Sequence, residues 1–159
     1  MATRAVKQSD LAEPVERPFA YMELYRATPM DRVGMIKSGV SARLTKKFAT
    51  AFDLDQKVMF DALNLKTATV NKKAANNQDL SVDDGERVIG LAKLVGQVEA
   101  MVEDSGNSEG FDATEWLSTW LREPLPALGG VKPIDLLDTI EGQALLSRTL
   151  LQIQSATFA

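Results

Sequence analysis

Val88, Leu91, Ala92, Val95, Val98 and Val102 return at three- and four-residue steps over some twenty residues, the period of one face of an α-helix. The opposite signal is missing. Nowhere do Val, Ile or aromatic residues alternate with polar ones over a useful length, so the expected fold class is all-α. Ser81-Val82-Asp83-Asp84 supplies a capping signal for the long helix, with acidic residues where the helix dipole favours them. Gly90 and Gly96 interrupt its apolar face. Each weakens the helix by about 1 kcal/mol unless it admits a close neighbour, which could belong to the same chain or to a second copy.

Upstream, Met1 to Pro18 is polar, holds Pro14 and Pro18, and lacks an apolar period, so a flexible arm is expected over 1–18. Phe19 to Ala27 predicts a short amphipathic helix, and Thr28-Pro29 reads as an N-cap and first-turn proline for a helix over Met30 to Ser38. Gly39 is placed to end that helix. Ser41 then caps another, carrying Leu44, Phe48 and Phe52 at four-residue steps.

Gln56 to Ala75 fits a helix-turn-helix. Asp55 can cap a helix whose inward residues are Val58, Met59, Ala62 and Leu63, and Asn64 falls in the turn, where a left-handed residue is needed. Leu65 anchors the turn, Thr67 caps the next helix, and Val70 with Ala74 holds that helix against the first. Lys66, Thr67, Ala68, Asn71 and Lys72 then face a major groove, with Lys73 and Asn76 available for phosphates. Two features count against this reading. Phe60 stands where such motifs hold a small residue, and the second helix has no arginine. A plain helical hairpin with a solvated Lys/Asn face is the competing account.

Charge divides along the chain. Residues 1–80 hold 13 Lys/Arg against 9 Asp/Glu, a net of +4, and residues 81–159 hold 5 against 13, a net of −8. A basic half suits phosphate contact, whereas an acidic half is repelled by nucleic acid. The chain has no cysteine and no histidine. That excludes thiol nucleophiles, thiolate metal sites and imidazole bases, and no phosphate loop or paired-carboxylate motif replaces them. The expectation is a binding protein rather than an enzyme, with no cofactor. No apolar run is long enough to span a membrane, and the N-terminus has no signal-peptide core, so a cytoplasmic protein is expected.

Asp104 to Gly110, reading Asp-Ser-Gly-Asn-Ser-Glu-Gly, is the clearest break. It divides the expected organisation into 19–105 and 106–159. Asp112 with Glu115 has capping spacing, and Trp116, Leu117, Trp120 and Leu121 form a bulky helical face, the two tryptophans read as core with partner contact as the alternative. Gly129-Gly130 lets the helix ending near Arg122 to Leu128 reverse, and Pro133 starts a short helix over Ile134 to Leu137. Asp138 or Thr139 can cap a last helix, with Ala144, Leu145, Leu150, Leu151 and Ile153 as its apolar set and Leu146 widening the stripe.

The run Pro126-Ala127-Leu128-Gly129-Gly130, Lys132-Pro133-Ile134-Asp135-Leu136-Leu137, Thr139-Ile140-Glu141-Gly142 resembles the C-terminal domain of the MbcA/ParS/Xre antitoxins, with matching order from Trp116 to Ile153. That resemblance implies a helix-turn-helix in the position noted above, used for operator binding or for dimer contacts. It also implies a partner toxin of the RES fold whose NAD-binding cleft the antitoxin's C-terminal end blocks. On that basis Gln154, Ser155, Ala156, Thr157, Phe158 and Ala159 are the expected toxin-binding residues, and a homodimer that also binds its own operon's promoter is the expected assembly. A free-standing dimeric repressor and an adaptor without DNA binding are the alternatives.

Overall fold

The computed structural model describes residues 17–158, without the side chains of Thr157 and Phe158. All but Arg17 and Pro18 of the expected arm, and Ala159, lie outside the described residues. Eight α-helices follow in order: α1 Tyr21–Arg26, α2 Pro29–Ser38, α3 Ala42–Thr50, α4 Gln56–Ala62, α5 Thr67–Ala75, α6 Val82–Asp104, α7 Ala113–Trp120 and α8 Ile140–Phe158. Two 3-10 turns, Pro126–Leu128 and Pro133–Leu136, join α7 to α8. The described residues contain no strand, in line with the all-α expectation; one isolated bridge pairs Ser41 with Asp79.

Local chemistry starts most of these helices where the sequence places them. The Thr28 side chain accepts from the Asp31 N–H, Ser41 from Leu44, and Ser81 from Asp84. Each cap satisfies an N–H that the first turn cannot. The first helix is shorter than Phe19 to Ala27, because Phe19 lies before it and packs edge-on against Phe48 at 5.3 Å between centroids. Tyr21 and Phe52 complete that aromatic cluster around Phe48.

The long helix α6 is the axis of the molecule. Val88, Leu91, Ala92 and Val95 are fully buried on it, while α1, α2, α7 and α8 all pack against it. One continuous core therefore takes residues from Tyr21 to Leu150. The space over Gly90 and Gly96 of α6 is filled from within the chain. A Cβ at Gly96 would collide with the Tyr21 carbonyl of α1, and one at Gly90 with the Gln143 side chain of α8. Gly96 is the stricter site, because a backbone carbonyl cannot swing aside as a glutamine can. Gly96→Ala should therefore destabilise the fold by about 1–3 kcal/mol through overpacking, more than the roughly 1 kcal/mol that alanine adds to helix propensity. A lower urea midpoint checks this, with Gly90→Ala losing less.

Candidate nucleic-acid and protein interfaces

The first surface is built by α4, its turn and α5. Asn64 has φ 56°, the left-handed turn conformation, and Leu65 behind it is buried while its N–H donates to the Phe60 carbonyl at 2.8 Å. Val70 and Ala74 are buried, and α5 packs on α3 as well as on α4. Three local expectations change. Val58 is 44% exposed and faces outward, whereas Phe60 is fully buried beside Met59 and Leu63. The large ring takes the core position, and α4 turns Val58 away to admit it. Asp55 precedes α4 without a side-chain capping bond. Lys66, not Thr67, is the N-cap residue of α5, and no side chain caps that helix.

With α5 held on its apolar side, Lys66, Ala68, Asn71, Lys72 and Asn76 are exposed, and Thr67 and Lys73 are half-buried. All seven expected residues thus lie on α5 or at its two ends. Arg87 is a positioning residue that the sequence reading did not find. From α6, its Nε donates to the Leu63 carbonyl at 2.7 Å and one Nη to the Asn64 carbonyl at 3.2 Å, while the same Nη pairs with Asp84. A guanidinium thus ties the turn between α4 and α5 to the central helix. No periodicity marks such a residue, because its partners lie 23 and 24 positions away.

The second surface belongs to the C-terminal third. Asp112 caps α7 by accepting from the N–H groups of Thr114 and Glu115. The chain leaves that helix after Trp120, earlier than expected, because the Leu121 carbonyl accepts from the Ile134 N–H at 2.9 Å instead of continuing a helix. Gly129 and Gly130, at φ 69° and 88°, close the reversal, and the Gly130 N–H reaches the Leu125 carbonyl at 2.8 Å. Of the two residues considered as cap for α8, Thr139 has the role: its Oγ1 accepts from the Gly142 N–H at 2.9 Å.

The buried face of α8 differs from the expected stripe. Leu146 and Leu150 are fully buried, with Gln143 and Thr149 beside them, whereas Leu145, Leu151 and Ile153 are exposed. Polar bonds fix this rotation. Gln143 Nε2 donates to the carbonyls of Arg87 and Leu137, both at 3.0 Å. Buried Gln97 on α6 donates to the Ser147 carbonyl at 3.0 Å and accepts from the Ser147 hydroxyl at 2.8 Å. Paired amides at these positions satisfy groups whose burial would otherwise be costly. Beyond Leu150 the helix continues through Phe158 rather than fraying, with Gln154 half-buried and Ser155 and Ala156 exposed.

The two tryptophans stack at 5.9 Å between centroids and 17° between planes. Trp120 is buried and Trp116 half-buried. They line a surface cleft of about 400 Å³ together with Phe111 and the carboxylates of Asp112, Glu115 and Glu123. No helix among the described residues is long and apolar enough to cross a membrane.

Comparison with known proteins fits this division of surfaces. Residues 31–93 match the Antitoxin Xre-like helix-turn-helix domain, and residues 97–155 match the Antitoxin Xre/MbcA/ParS C-terminal toxin-binding domain. The two matches meet in the middle of α6. A relative from Sphingobium sp. (strain YBL2), named Prs ADP-ribosylating antitoxin, is 72% identical over 142 residues, which is 89% of this chain and 89% of that protein. A helical body carrying a helix-turn-helix domain with an exposed polar second helix and, after it, a toxin-binding domain, with this degree of identity to an antitoxin, places the chain in the Xre/MbcA/ParS antitoxin family.

Proposed function

We propose that this antitoxin neutralises a RES-fold toxin that consumes NAD, by lodging the C-terminal end of α8 in the toxin's active-site cleft. The observation that carries the reading is the course of α8: Leu150 is its last fully buried residue among the described side chains, yet the helix runs on to Phe158 with Leu151 and Ile153 exposed. A helical end that leaves its own core with apolar side chains uncovered has the form of an insertable element. The relative's name couples it to ADP-ribosylation, a reaction in which NAD supplies the transferred group, and blocking a NAD cleft is the matching mode of inhibition.

In the same reading, residues 19–105 form the DNA-facing lobe and 106–159 the toxin-facing lobe, and the protein acts in the cytoplasm. Lys66, Thr67, Ala68, Asn71 and Lys72 enter the major groove of the operator of its own operon, with Lys73 and Asn76 at phosphates. A homodimer then presents two copies of α5 to half-sites about one helical turn apart. The test is co-expression of the chain with the protein encoded by the neighbouring gene. Growth rescue together with co-purification is the expected result, and a neighbour that is harmless alone, or that never co-purifies, overturns the reading.

A further inference from the structure

Resting on that reading, we infer that the cleft of Trp116 and Trp120 is a second toxin contact, which receives an arginine or lysine side chain of the toxin. The cleft lies wholly within residues 110–123 and so inside the toxin-binding domain. Its chemistry selects a cation twice over. Half-buried Trp116 is stacked on Trp120 and sits at a cleft whose lining includes three carboxylates. An indole face attracts ammonium and guanidinium groups, and a planar guanidinium can stack on the ring while its edge meets a carboxylate.

The carboxylates are available. Asp112, Glu115 and Glu123 are exposed, and none of them is ion-paired among the described residues. Asp112 spends one oxygen on the α7 cap and keeps the other. The surrounding half of the chain, residues 81–159, carries a net charge of −8, an excess that favours a cationic partner. Trp120 itself is buried and backs the Trp116 ring. An aromatic anchor ringed by charge is the composition of an interface hot spot.

The experiment measures binding of the full-length chain to its RES-domain toxin by calorimetry, with two variants. Glu115→Lys/Glu123→Lys reverses the rim without touching the core, and should weaken the complex by about 30-fold or more while flattening its salt dependence. Trp116→Leu removes the π face and should weaken it by about 10-fold, whereas Trp116→Phe should retain part of the affinity. Unchanged operator affinity and an unchanged helical melting curve show that each variant is folded. If both the charge reversal and Trp116→Leu bind the toxin as tightly as the parent chain, the cleft is not a contact. If the parent chain itself fails to bind the toxin, the antitoxin–toxin reading has failed and this inference falls with it, a result distinct from the first because the variants then play no part.

Discussion

Deletion of residues 154–159 is expected to abolish rescue of cells expressing the toxin, while the shortened protein still folds. The core anchors of α8 are Leu146 and Leu150, and the amides that set its rotation, Gln143 and the Gln97–Ser147 pair, all precede the cut. Loss of residues 154–159 therefore leaves these anchors and amides in place. In the proposed mechanism these residues are the blocking element itself, so a complex lacking them should consume NAD at a rate near that of the free toxin. Binding through the rest of the domain should persist, weakened, and separate the two roles. The readout is NAD consumption by the purified complex beside growth of the co-expressing strain. Full neutralisation by the truncated chain would overturn the plug assignment and leave the antitoxin assignment standing.

The second large effect concerns α5. The triple change Lys66→Ala/Asn71→Ala/Lys72→Ala should lower operator affinity by about 100-fold or more at 0.1 M salt, since a bidentate base contact is worth about 1–3 kcal/mol. An anisotropy titration against operator and unrelated duplex checks this, with the loss larger on the operator because Lys73 and Asn76 keep their phosphate contacts. All three residues are exposed, and the change should leave stability within about 0.5 kcal/mol. Toxin neutralisation should be untouched. An operator affinity equal to the parent's would show that α5 does not read DNA and would favour an adaptor role.

Much of the fold was legible because its signals are local. Thr28, Ser41, Ser81 and Asp112 each cap a helix by bonding an N–H two or three residues ahead. That geometry depends on nothing outside one turn. Asn64 in the left-handed conformation is equally local. The face of α5 was legible too, since Val70 and Ala74 leave only one side for the polar residues. Thr67 misled because it stands one position inside the helix that it would have capped.

The stripe on α8 shows where such reasoning stops. Ala144, Leu145, Leu150, Leu151 and Ile153 satisfy a helical period as well as Leu146 and Leu150 do. The choice between the faces was made by Gln97 and Arg87 of α6, about fifty residues earlier in the chain. Phe60 and Val58 exchanged places for a similar reason, because burial is decided by the room that facing helices leave. Arg87, with its two carbonyl partners in the helix-turn-helix turn, has no sequence signature at all.

By itself, then, the sequence determined where helices begin, that no strand forms among the described residues, and which residues of α5 share an outer face. Each follows from hydrogen bonds or spacings within a turn or two. Only the tertiary structure decided that Gly90 and Gly96 are occupied by α8 and α1 of the same chain. It alone decided that Leu151 and Ile153 stay partly exposed and that the tryptophans line a cleft with three acidic residues. These outcomes depend on which surfaces meet across long stretches of chain, where van der Waals contact and buried amide pairing select one of several patterns that the sequence allows equally.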